Sequence, residues 1–328
     1  MAGTSPPRRQ APFIIGLILI LAALPLGYFL FLQQPPPPPP PPPAPAPAPV
    51  EAKAPDKPAQ VQMELGEVTG TVEVRHEGGD WEPAKRGMPL RTSDSVRTKD
   101  GSSVELLGEA VKFSVDPGTE VSVQELTSSL SRILLETGMA TAVVRPGKRQ
   151  TFEVKAAGTD AVARTSDGTF TMSNDGKGTV AVGTREGEVS FLGGGKVVIV
   201  RAGQQSVIRP GSSAPSEPAE IPSSLLRKVQ WPMGRQNKRE VIVKGEAVPG
   251  SRLEIGGETF SPTADGTFVR KVSLAEGENE VKLKVSSVGG HQEEANQKIL
   301  VDTRPPKLKI KTPWQNSGGQ PSQGGGQE

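Results

Sequence analysis

GEVTGTVEVRHEGGDWEPAKRGMPLRTSDSVRTKDGSSVELL, residues 66–107, alternates apolar and polar side chains in short runs broken by glycine, aspartate and proline. A period of two is the signature of a half-buried strand, and it predicts strands over Glu67–Arg75 and Ser103–Leu107. Glu77-Gly78-Gly79-Asp80 and Asp100-Gly101 supply turn chemistry between them. The same pattern continues to about Gly211. Further strands are expected at Lys112–Val115, Glu120–Gln124, Ile133–Glu136, Met139–Val144, Thr151–Val154 and Gly168–Met172. Gly178–Val182, Glu188–Phe191, Lys196–Val200 and Gln205–Ile208 complete the series. Turn signals recur at Asp116-Pro117-Gly118, Pro146-Gly147, Asp175-Gly176 and Gly193-Gly194-Gly195. About twelve strands spaced near ten residues apart predict one all-β sandwich or roll. Glu125–Arg132 is the one tract expected to coil briefly.

Two segments of different character precede this tract. Phe13 to Leu32 is an uncharged apolar run of twenty residues. At about 1.5 Å per residue it can span the roughly 30 Å hydrocarbon core of a bilayer. Nine consecutive prolines, Pro35 to Pro43, lead into Ala-Pro alternation ending at Pro49. Proline lacks the N–H and fixes φ, so this stretch reads as a polyproline II rod reaching roughly 45 Å. A spacer is favoured over a ligand for proline-recognition domains, which are mostly cytosolic. Arg8 and Arg9 precede the apolar run and the next basic residue is Lys53. The positive-inside rule therefore places the N-terminus in the cytoplasm and the bulk outside. A cleaved signal peptide is the competing reading, and Arg8-Arg9 weakly resembles a twin-arginine signal. The length of the run, and Pro47 directly after the nearest small-x-small site Ala44-Pro45-Ala46, favour an uncleaved anchor. Gly16, Pro25 and Gly27 are tolerated in such a helix. The expected order is a cytoplasmic tail over 1–12, a transmembrane helix over 13–32 and a proline-rich stalk over 33–62.

The tract 66–107 carries a recognisable series: Gly70, Trp81 after a Gly-rich turn, Gly87, Leu90, Asp94-Ser95-Val96-Arg97-Thr98 and Gly101-Ser102. Downstream come Gly168-Thr169-Phe170, Thr179-Val180-Ala181-Val182, Gly187-Glu188-Val189 and Ala202-Gly203-Gln204. In this order the residues resemble the FecR domain, the extracytoplasmic domain of ferric-citrate regulators. Two positions depart from the family pattern: Ser93 stands where the family has glycine, and the Gly-Thr-x-Phe element is one residue short. The resemblance implies a FecR-like β domain over 63–211. A Ser/Pro/Glu-rich linker is expected over 212–224. Beyond it, Val243, Gly245, Pro249, Gly250, Leu253 and Ile255 open a second series. Asp265-Gly266, Phe268, Leu274, Gly277, Asn279, Val285, Val301, Asp302 and Pro306 continue it. This series resembles bacterial immunoglobulin-like domains and implies a sandwich of about seven strands over 225–314. The Gly/Gln-rich end, 315–328, reads as a low-complexity disordered tail.

Composition narrows the function. The chain has no cysteine, hence no disulfide, thiol nucleophile or lipid-bearing cysteine. Its folded parts must rest on their own cores. Thirty-eight basic and 36 acidic side chains are interspersed for a net charge of +2, which leaves no footprint for nucleic acid. His76 and His291 lie in different domains. His76 beside Glu77 and Asp80 reads as a surface residue rather than a partial metal site. Asp167 and Asp265 each begin an Asp-Gly-Thr-Phe string, read as hairpin turns entering strands rather than paired catalytic carboxylates. Asp160 and Asp302-Thr303 offer no nucleophile–base grouping. Gly193–Gly195 lacks the Lys-Ser/Thr and following helix of a phosphate loop. Trp81 is expected as a core anchor of the first domain and Trp231 in the first strand of the second; Trp314 is the third tryptophan. No catalytic, cofactor-binding or metal site is predicted.

The expectation is a non-enzymatic, single-pass protein of the bacterial inner membrane, with the bulk in the periplasm. Its β domains would bind an envelope glycan or protein. The resemblance also implies a runner-up: a signal transducer acting on an extracytoplasmic-function sigma factor. The twelve residues before the apolar run cannot bury a sigma-binding core, so that role would need a separate membrane partner.

Overall fold

The computed structural model describes Tyr28, residues 62–146 and residues 150–305. The anchor, nearly all of the stalk and the tail read from sequence lie outside the described residues. Among the described residues, no helix is long and apolar enough to cross a membrane. The described residues from 62 to 305 form an all-β structure, as the period-two pattern predicts.

Sixteen strands build the first module as one continuous sheet folded on itself. Its N-terminal half comprises β1 (Met63–Thr69), β2 (Val72–Arg75), β3 (Trp81–Pro83), β4 (Pro89–Leu90), β5 (Ser95–Thr98), β6 (Ser103–Leu107), β7 (Val111–Val115) and β8 (Glu120–Leu126). β9 (Leu130–Val144), β10 (Thr151–Ala156), β11 (Val162–Thr165) and β12 (Gly168–Asn174) follow. β13 (Val180–Gly193), β14 (Lys196–Arg201), β15 (Gln204–Ile208) and β16 (Ala219–Glu220) close the module. One face runs β4-β1-β6-β7-β9-β12-β13-β15-β16. The other runs β3-β2-β5-β8-β9-β10-β11-β13-β14. The two long strands β9 and β13 belong to both faces and turn the corner between them. All pairings are antiparallel except β9 with β10.

The bend in β9 has a readable cause. Ile133 and Leu135 point into the core before it, Ala140, Ala142 and Val144 after it, so the inward parity flips by one. Gly138 sits at the flip with φ +107°, and Thr119 occupies the space a Cβ there would need. Thr119 Oγ1 accepts from Met139 N at 3.1 Å, which holds the bend. The core between the faces is aliphatic around a run of three rings. Phe113 and Phe152 lie 5.6 Å apart and Phe152 and Phe170 6.4 Å apart, both pairs tilted.

Several sequence expectations change here. Ile133–Glu136 and Met139–Val144 fuse into β9, and Gly178–Val182 and Glu188–Phe191 into β13, because each pair shares one bent strand. Glu67–Arg75 instead breaks at Gly70, whose φ of +73° interrupts the ladder between β1 and β2. Glu125–Arg132 does not coil; it is the hairpin joining β8 to β9, closed by Thr127 N donating to Leu130 O. The linker expected over 212–224 is strapped to the first module. β16 pairs with β15, Ser206 Oγ donates to Ser216 O at 2.7 Å, and Ile221 N donates to Gly203 O.

The second module is a two-sheet sandwich. β17 (Leu226–Gln230), β18 (Glu240–Ala247) and β21 (Thr267–Ser273) form one sheet. β20 (Glu258–Phe260), β19 (Arg252–Ile255), β22 (Gly277–Ser286) and β23 (Gln292–Val301) form the other. Val243, Leu253, Leu283 and Val285 are fully buried between them, with Phe260 and Phe268 in contact at 6.0 Å.

Candidate functional site

The two modules meet along a buried seam, and the seam frames a cleft. On the first module the outward side chains of β9, β12, β13 and β15 face the second module instead of water. That is why every residue of β12 is buried: Phe170 and Met172 point to the core, Thr171 and Ser173 to the seam. Met139, Ala181 and Val207 join Val288 of the second module in a separate apolar cluster. Ser173 Oγ donates to Gly250 O at 2.6 Å across the seam, with both groups buried. Two glycines permit the approach. A Cβ on Gly183 would stand 2.6 Å from Val288 O, and one on Gly250, at φ +82°, would stand 2.3 Å from Ala181 Cβ. At the seam's far end Thr259 N donates to Asp100 Oδ1 at 2.9 Å, and Arg252 Nη2 donates to Gly118 O.

Between these contacts lies a cavity of about 240 Å³. Asp116, Arg185, Arg252, Glu254, Lys284 and Ser287 supply much of its polar lining. Thr141 and Thr171 hydroxyls meet on its floor at 2.8 Å. Burial pushes the Asp116 carboxyl up from 3.8 to about 6, against the pull of the Arg252, Arg185 and Lys284 cations. Burial also lowers the Arg252 guanidinium below its ordinary value, with Asp100 and Asp116 opposing. Three buried polar atoms in this lining have no hydrogen-bond partner: Arg252 Nε, Thr259 Oγ1 and Ser287 Oγ. Each such group costs about 1–3 kcal/mol when left unmade.

The residues weighed from sequence lie elsewhere. His76 Nδ1 pairs at 2.9 Å with Asp94, not with Glu77 or Asp80. Asp94 is 1% exposed and pins a turn by accepting from Arg91 N at 2.8 Å and Glu77 N at 3.3 Å. Trp81 is not in the core. It lies half-buried on β3, flanked by Arg97 and Arg75 with guanidinium carbons 4.1 and 4.6 Å from the ring. Arg97 also donates to Glu73, whose carboxyl it holds below the usual range. Trp231 follows β17 directly and packs on the second core. Asp167 and Asp265 both sit in turns ahead of β12 and β21, and the Phe of each string is buried. Asp160 Oδ2 accepts from Gly194 N at 2.6 Å, tying down the Gly193–Gly195 turn. Asp302 is taken up by Arg304 at 3.0 Å and by Arg235, and Thr303 by Glu276. His291 is exposed; its carbonyl closes the turn that carries Ser287 and Gly290 to the cleft.

None of the charged cleft residues is singled out as a site by motif. Asp116 reads as a turn and Arg252 and Lys284 as strand residues, while Arg252 and its acceptor Gly118 are 134 residues apart in the chain. No local spacing could have joined them.

No family model and no curated protein matches the chain. Among solved structures, two crystal structures of a candidate anti-sigma factor from Parabacteroides distasonis, at 2.50 and 1.65 Å, are similar to part of it. They share 18% and 17% identity at a TM-score of 0.34. The match covers 38% of this chain and spans 59% of theirs.

Proposed function

We propose that this chain is a non-enzymatic, membrane-tethered protein whose two β modules act as one block to bind or sense an envelope component, a glycan or a protein. The observation that carries the reading is the seam. Four strands of the first module spend their outer face on the second module, and the joint encloses a cleft with unspent donors. Two modules needed only as separate beads would not bury Ser173, Ala181 and Gly183 against a neighbour. The apolar run, the arginine pair and the proline rod support a tether that presents this block in the periplasm. The series from Gly70 to Gly101 supports a FecR-like first module, and the series from Val243 to Asp302 supports an immunoglobulin-like second one.

The test is photocrosslinking in cells with the full chain, carrying p-benzoylphenylalanine at exposed positions such as Val197, Ile242 and Val269. The reading expects a defined envelope protein, or co-sedimentation with cell-wall sacculi. Neither result in any position would refute it.

The FecR resemblance favours one second reading, a transducer that reaches an extracytoplasmic-function sigma factor through a membrane partner. Deleting Met1 to Gln10 would then alter a specific set of transcripts; an unchanged transcriptome removes this reading.

A further inference from the structure

We infer that the seam cleft is a binding site for a small carboxylate ligand, gripped from both modules at once. This deepens the binding role proposed above and rests on it.

Three cations, Arg185, Arg252 and Lys284, line the cleft against two carboxylates, Asp116 and Glu254. The Arg185 and Lys284 side chains make no hydrogen bond or close ion pair among the described residues; both pull on Asp116 at longer range, and Lys284 lies across the sheet from Glu254. The Arg185 side chain passes over the turn at Gly290, its Cδ lying 3.0 Å from where a Cβ on Gly290 would be. Arg185 is exposed at the cleft and Lys284 half-buried, so both cations are open to an anion that enters. The second observation is independent of charge. Ser287 is only 3% exposed, lines the cavity, and its hydroxyl has no partner; Arg252 Nε and Thr259 Oγ1 share that condition. These groups belong to β19, β20 and the turn after β22, and all three residues line the one cavity. A planar carboxylate offers two acceptor oxygens with a geometry that guanidinium groups match. The volume of about 240 Å³ limits the occupant to a small acid or the terminus of a longer one.

The cleft's charge is adjustable. Asp116 faces Arg252 and Glu254 from β19, Arg185 from β13 and Lys284 from β22, with exposed His291 beyond the rim. Protonating Asp116 removes a negative charge from the lining, so a carboxylate is held more tightly in acid.

Calorimetric titration of the full chain in detergent tests this, using N-acetylglycine as the probe. Its methylamide, which lacks the carboxylate, and inorganic phosphate serve as comparisons. N-acetylglycine is expected to bind, and its methylamide to bind at least about tenfold more weakly. Arg185→Gln with Lys284→Gln is expected to cost a similar factor while leaving the melting temperature unchanged. Affinity should rise from pH 7.5 to pH 5, where the probe carboxylate stays ionised, and Asp116→Asn should flatten that rise. Equal binding of the methylamide, phosphate binding as tight as N-acetylglycine, or an unaffected double variant would each overturn the inference. Crosslinking that captures an envelope component while N-acetylglycine fails to bind would retire the cleft and leave the broader reading standing.

Discussion

Gly138→Ala is predicted to be among the costliest single-atom additions in the first module. Gly138 lies at φ +107°, outside the range L-residues adopt readily, and the left-handed half of backbone space costs roughly 1–2 kcal/mol. The new Cβ would also stand 2.6 Å from Thr119 Cα and closer still to its Oγ1. A backbone atom cannot rotate away, so β8 and β9 must separate, an overpacking cost of about 1–3 kcal/mol. Separation weakens the bonds between Thr119 Oγ1 and the Met139 backbone, 3.1 and 3.2 Å long, for about 1 kcal/mol more. The total is about 4 kcal/mol, a large part of the 5–15 kcal/mol that keeps a domain folded. Urea unfolding followed by Trp81 fluorescence, with Trp231 and Trp314 replaced by Phe, isolates the first module. Gly203→Ala is the control: its φ is +81° but no atom lies within 4 Å of the added Cβ, so only the backbone cost of about 1 kcal/mol applies. A Gly138→Ala cost no larger than the control would refute the claim that this contact sets the corner of β9.

Three further outcomes follow from particular residues. Ser93 holds φ +75° with a side chain present, so Ser93→Gly should stabilise the first module by about 0.5–1 kcal/mol in the same assay. Asp94→Ala strips the partners from Arg91 N, Glu77 N and His76 around a carboxylate that is 1% exposed. A loss of about 2–4 kcal/mol is expected, and a value below about 1 would deny the turn its pin. Asp116 carries the pH dependence: its carboxyl is raised from 3.8 to about 6 in the folded chain, so the folded state holds the proton more firmly than the unfolded. Its contribution is greatest below pH 4 and is lost as pH rises through about 6, by up to about 3 kcal/mol and less where solvent reaches the group. Asp116→Asn should therefore flatten the stability profile between pH 4 and 6 and raise stability at pH 7.5.

The all-β character was legible because alternation survives wherever one face meets a core. Val111–Val115 and Glu120–Leu126 alternate cleanly and were readable almost to the residue. Alternation fails where a strand turns a corner, since the parity flip at Gly138 looks like a strand end. It also fails where a strand is covered on both faces, as in β12, whose threonines and serine point into the seam. Short edge strands such as β4 and β16, two residues each, leave no periodicity to read. Trp81 was misplaced for a different reason. An indole suits a core, but Arg75 and Arg97 on neighbouring strands satisfy its faces at the sheet edge. The cleft was invisible because its charges come from distant strands that only the seam brings together.

The seam's rigidity is the claim on which the rest depends, and the cysteine-free chain suits a direct measurement. Spin labels at Gln124→Cys and Lys298→Cys, both exposed and one on each module, report the distance between modules by electron–electron double resonance. The account predicts one narrow distance distribution in the full chain, broadened when Gly250→Val forces a side chain against Ala181. A broad distribution in the unaltered seam, or one indifferent to Gly250→Val, would contradict it.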